Sequence, residues 1–181
     1  MSYIKPDPKK DYAMILGASS GFGEATALEL ASSGFNIIGV HLDRGTGLTR
    51  VEQIKRQIEE NGVSALYFNV NAASEKKREE VIQGIKDHFT EKNTNGKIKV
   101  FLHSLAFGSL APFIHSDPKE RLSQKQMDMT LNVMGNSLVY WVRDLFDAHM
   151  FTKGSKIYGM TSSGSIQVIP YYGAVSGAKC L

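Results

Sequence analysis

Residues 17–34 read GASSGFGEATALELASSG. Gly17, Gly21 and Gly23 are spaced GxxxGxG between the apolar run YAMIL at 12–16 and a stretch with helical character. A strand that turns sharply into a helix needs residues without Cβ where its backbone closes on a diphosphate, and the helix N-terminus offers N–H groups to that anion. A ligand-free tight turn also uses glycine, but the strand before and the helix after favour phosphate binding. The P-loop alternative fails, because no GKS or GKT follows.

Short apolar runs continue to alternate with longer amphipathic ones, the pattern of βαβ units. Strands are expected at 12–16, 36–41, 65–70, 98–103 and 156–161. Between them Val51, Ile54 and Ile58 recur on one helical face, as do Val81, Ile85 and Phe89. Gly34, Gly62 and Gly96 stand where helices are expected to stop. A long helix over about 123–150 carries Met127, Leu131, Met134, Leu138, Trp141, Leu145 and Ala148 as one apolar stripe. That stripe fits a core face packed on the sheet, or a surface shared with a partner subunit. The fold class expected is α/β, a doubly wound parallel sheet of the Rossmann type, forming one dinucleotide-binding domain over 1–181. Five strands with four complete helices look unfinished, so C-terminal strands are expected to be missing.

Hydrophobic residues make up 42% of the chain and charged ones 22%, ordinary values for a globular protein. No apolar run approaches the roughly 18 residues of a membrane span, and the N-terminal MSYIKPDPKKDY lacks the apolar core of a secretory signal. A cytoplasmic location without membrane attachment is expected. The net charge of +3 is mild, and Lys76, Lys77, Arg78, Glu79 and Glu80 mix both signs as a solvated helix face does, so no nucleic-acid partner is expected. One cysteine, Cys180, permits no internal disulfide and reads as a helix packing residue. The five histidines lack ligand spacing, so no metal is expected.

The GxxxGxG spacing resembles the short-chain dehydrogenase/reductase family, with Leu16 where that family usually has Thr. The resemblance implies that Ser19 and Ser20 lie near the cofactor phosphates and that Phe22 covers the diphosphate. At the end of the second strand the cues conflict. Asp43 favours a free ribose 2′-hydroxyl and Arg44 a 2′-phosphate. Arg50 adds positive charge, and His41 occupies the position of the acid in NAD-preferring relatives, so the reading leans to NADP(H), with NAD(H) open. Asn69 and Val70 match the family's adenine-flanking Asp-Val pair. HSLAFG at 103–108 resembles the nicotinamide-side segment of enoyl-acyl-carrier-protein reductases, placing His103, Ser104 and Leu105 along the cofactor. Taken alone, His103 is more often a strand-end residue with satisfied hydrogen bonds.

If a helix begins near Tyr171, positions seven apart differ by roughly 700° and share a face about 10 Å apart along the axis. Tyr172 and Lys179 meet that spacing, whereas Tyr171 points elsewhere and more naturally packs or lines a pocket. The Tyr-x6-Lys arrangement is also that of enoyl-acyl-carrier-protein reductases; the commoner YxxxK would need Tyr at position 175, where this chain has Val. The resemblance implies that Lys179 holds the nicotinamide ribose and favours the tyrosinate, while Tyr172 donates to the substrate oxygen. Ser162, ten before the tyrosine, and Asn132, in LNVMGN, match carbonyl-reducing members instead. Ser162 also fits a plain strand-end turn, and Asn132 a helix kink or polar cap. Phe107, Leu110, Pro112 and Phe113 offer an acyl chain an apolar wall or belong to a loop folded on the sheet edge. The expected activity is NAD(P)H-dependent reduction of an enoyl thioester. Alternatives are a carbonyl reductase or alcohol dehydrogenase on the same scaffold, and an inactive dinucleotide-binding fragment. The family resemblance also implies a homo-oligomer, tetramer or dimer.

Overall fold

The computed structural model describes residues 5–180; residues 1–4, part of the stretch read for a leader, and Leu181 lie outside them. Strands β1 (Asp11–Leu16), β2 (Asn36–His41), β3 (Ala65–Asn69), β4 (Lys97–His103) and β5 (Phe151–Gly159) form one sheet in the order β3-β2-β1-β4-β5. β1 pairs in parallel with β2 and β4, and β2 with β3. Helices α1 (Gly21–Ser32), α2 (Thr46–Glu59) and α3 (Glu75–Glu91) make the crossovers. This is the doubly wound sheet expected from the alternating runs. Each residue of β1 and β2 is buried, so these strands read as continuous apolar runs instead of the alternation of a half-wetted sheet. Fully burying Ile37, Ile38 or Val40 contributes roughly 1.5–3 kcal/mol apiece.

The chain divides into two compact units, Met1–Ser104 with Asp144–Tyr158, and Leu105–Arg143 with Gly159–Leu181. In the first, α1 buries Gly23, Ala27 and Ala31, small residues four apart on its inner face. The faces of α2 and α3 are as the periodicity predicts: Val51, Ile54, Ile58, Val81 and Ile85 are buried. In the second, Met134, Val175 and Ala178 form a core on which Leu131, Val133 and Tyr172 pack.

Several expectations need correction. The long helix is three pieces: α4 (Gln124–Leu131), a π-helical turn over Asn132–Asn136, and α5 (Ser137–Asp147), in which Trp141 is fully buried. Helix α3 ends at Glu91, five residues before Gly96. Asn93, at φ 48°, is its left-handed terminator, and Gly96 instead makes room for the Phe89 ring. Arg78 does not belong to a solvated face: it is 2% exposed, and its Nε donates to Asp144 Oδ2. The last helix, α6, spans Gly173–Cys180, two residues later than expected. Among the described residues no helix is long and apolar enough to cross a membrane.

Candidate active site

From β1 the chain winds outward through β2 to β3 on one side and then crosses back to β4 on the other, so the carboxyl ends of β1 and β4 border a switch point. The glycine turn lies there. Gly17 adopts φ 84°, and the N–H groups of Gly17 and Ala18 donate to the Val40 carbonyl, tying the turn to β2. A Cβ on Gly23 would collide with the Gly17 carbonyl oxygen, so this position tolerates only glycine. Ser20 stands at the N-cap of α1 in extended conformation and makes no side-chain cap bond, leaving the first-turn amides without that partner. Ser19 is buried, Gly21 is exposed, and Phe22 is 74% exposed at the helix start. On the β4 side, Ser104 N–H donates to Leu16 O, and His103 is buried at the strand end.

At the end of β2, His41 is buried and its Nδ1 lies 2.9 Å from Asp43 Oδ2. An ionised carboxylate only accepts, so Nδ1 carries the proton. The Asn69 carboxamide grips the Asp43 backbone from both sides, accepting from its N–H and donating to its carbonyl, each at 3.0 Å. Val70 N–H donates to His41 O, continuing the strand ladder. Arg44 is exposed. Arg50, counted above as loose positive charge, is bound to Glu24: both Nε and Nη2 donate to Oε2.

The second unit holds the remaining residues. Tyr172 precedes α6 and fills its N-cap place, with its carbonyl accepting from Ser176 N–H at 2.8 Å. From there Lys179 is still two turns onward. Tyr172 is half-buried, and a Cβ on Gly164 would strike its ring; Tyr171 is 61% exposed in a left-handed conformation at φ 64°. Lys179 Nζ donates to Met160 O at 2.7 Å and Leu105 O at 3.3 Å, and burial pushes its pKa below the ordinary lysine value. These two carbonyl partners were not foreseen, because backbone acceptors leave no mark in the sequence. An ammonium has three donors, so one remains. The Ser162 Oγ is buried without a hydrogen-bond partner. Asn132 opens the π turn, an irregularity frequent at functional sites.

In the same unit, the segment after β4 is tied to α4 through Ser109 N–H, which donates to Thr130 Oγ1 at 3.0 Å. It leaves Phe107, Leu110 and Phe113 more than half exposed, Pro112 is partly covered, and Gly173 sits against the Phe113 ring. Cys180 is exposed rather than packed, its Sγ donating to Ser165 O. Among the described residues no group of three or more His, Cys, Asp or Glu is placed to hold a metal ion.

A parallel sheet with a glycine turn at its switch point defines the class. A short-chain dehydrogenase/reductase of Serratia marcescens matches with a TM-score of 0.77 at 18% identity, over 96% of this chain and 65% of its own. The family described as Enoyl-(Acyl carrier protein) reductase matches residues 17–181, and the chain belongs to it, within the short-chain dehydrogenases/reductases. An enoyl-acyl-carrier-protein reductase (NADH) of Vibrio parahaemolyticus is 26% identical over 97% of this chain and 53% of its own. A trans-2-enoyl-CoA reductase (NADH) of Clostridium perfringens is 24% identical over 99% and 56%. The chain thus spans about half the length of these curated relatives.

Proposed function

We propose that the chain is the dinucleotide-binding and catalytic part of an NADH-dependent reductase that saturates the double bond of an enoyl thioester. The observation that carries this reading is the Tyr172–Lys179 pair, a half-buried N-cap phenol and, two turns on, an ammonium fixed by two backbone carbonyls with one donor to spare. The residues present suit a dinucleotide. The α1 amides lack a side-chain cap, as an anion site requires, and the bare Gly23 lets the Gly17 carbonyl of the turn pack directly on the start of α1. Gly17, Ser19, Ser20, Gly21, Phe22 and Gly23 would hold the phosphates, Asp43 the adenosine ribose, Val70 the adenine, and His103, Ser104 and Leu105 the nicotinamide side.

When bound, the cofactor supplies a hydride to the β-carbon of the conjugated thioester. Tyr172 donates its O–H to the thioester oxygen, where negative charge gathers. Lys179 would give its third N–H to a ribose hydroxyl, holding the cofactor beside the phenol. The exposed Phe107, Leu110 and Phe113 offer apolar surface to an acyl chain. The lean toward NADP(H) is withdrawn: Arg50, which argued for it, is neutralised by Glu24, while Asp43 opposes a 2′-phosphate. The relatives' names agree with NADH.

A second reading, carbonyl reduction, draws on the partnerless Ser162 Oγ and on Asn132 at the π turn. Nicotinamide oxidation followed with crotonyl and acetoacetyl thioesters separates the two. Turnover of the crotonyl substrate is expected, with a loss of about 10²-fold or more in Tyr172→Phe. Oxidation with acetoacetyl thioester alone would overturn the enoyl assignment.

A further inference from the structure

The end of β2 carries more structure than a strand terminus needs. The His41 imidazole is buried, faces the Tyr67 ring at 6.0 Å between centroids, and spends its Nδ1–H on Asp43 Oδ2. Tyr67 is itself mostly buried, and its ring fills the space a Cβ on Gly39 would take, so the imidazole has a firm neighbour. The Asp43 backbone is held by both polar atoms of the Asn69 carboxamide. Its carboxylate lies against Gly47 in the first turn of α2, where an added Cβ would come within 2.7 Å of Oδ1. Three neighbours thus fix one acidic side chain in place: an imidazole on one oxygen, an amide on the backbone and an empty Cβ site beside the other oxygen.

We propose that His41 is a specificity-determining positioning residue: by holding Asp43 Oδ2 it presents Oδ1 to the adenosine ribose, selecting a free 2′-hydroxyl over a 2′-phosphate. The inference rests on the dinucleotide reading above. A hydroxyl donates to a fixed carboxylate in a charge-assisted bond, whereas a phosphate meets like charge and has no proton to give. Sequence alone puts His41 where relatives carry the acid, and that reads as a missing determinant. The geometry makes the histidine the support of an acid two residues later.

Calorimetric titration of the intact chain with NADH and with NADPH, without acyl substrate, tests this. The wild-type chain is expected to bind NADH about tenfold or more tightly than NADPH. His41→Phe, of similar shape without the donor, should reduce that ratio to about threefold or less by weakening NADH, and His41→Asn, whose amide N–H lies near the lost Nδ1–H, should restore most of it. Gly47→Ala, which pushes the carboxylate aside from the opposite direction, should reproduce the loss and serves if His41→Phe does not fold. An unchanged ratio in folded His41→Phe, or in Gly47→Ala when the former does not fold, overturns the assignment, as does failure of His41→Asn to improve on His41→Phe. Equal wild-type uptake of both dinucleotides overturns this inference alone. Uptake of neither defeats the reductase reading as well.

Discussion

Single residues offer the sharpest tests of the proposed chemistry. Burial lowers the Lys179 pKa from 10.5, so the alkaline limb of the pH profile of kcat/KM is expected below that value. Desolvation disfavours the charged form, which is the form the proposed ribose and phenol contacts would need. In Lys179→Arg the guanidinium stays charged, and any residual activity should lack that limb. Gly23→Ala places a methyl against the Gly17 carbonyl; a loss of about 1–3 kcal/mol in urea unfolding is expected, together with weakened NADH binding. Both residues stand out in the sequence as candidates, since glycine spacing and a seven-residue offset are local quantities. The fate of Arg50 was not: its partner lies 26 positions back on another helix, and charge in a sequence does not reveal what neutralises it.

At the level of elements, caps and breaks divide what could be foreseen from what could not. Helix α4 begins with a capping box, Ser123 Oγ accepting from Gln126 N–H and the Gln126 side chain accepting from Ser123 N–H. Ser123→Ala should cost about 1 kcal/mol, read as a shift in the urea midpoint at constant slope. Periodicity located α2 and α3 and their inner faces, because burial on one side imposes its own repeat. It could not locate the π turn at Asn132–Asn136, where the apolar stripe runs on unbroken while the backbone gains an extra residue. The start of α6 was misplaced for a related reason: Tyr171 takes a left-handed conformation that its side chain disfavours, and no residue type announces it.

For the molecule as a whole, stability depends on pairings distant in sequence. Arg78 and Asp144 are 66 positions apart, and the charge run around Arg78 gave no hint of its burial. Asp144→Ala leaves the buried guanidinium short of an anion and should cost about 3 kcal/mol in chemical unfolding. His88, whose Nε2 lies 3.3 Å from the Tyr12 hydroxyl, has its pKa lowered from 6.5 by burial and then by Lys92. The unfolded chain therefore takes up this proton first as pH falls, and stability declines from about 6.5 down to the lowered folded value, then levels off. His88→Gln should lose less stability than wild type between pH 7.5 and 5 in parallel urea titrations. The sole tryptophan of the chain, Trp141, is fully covered within α5. Its indole is therefore a built-in optical gauge: a red-shifted emission maximum will register water reaching that helix, without any attached dye.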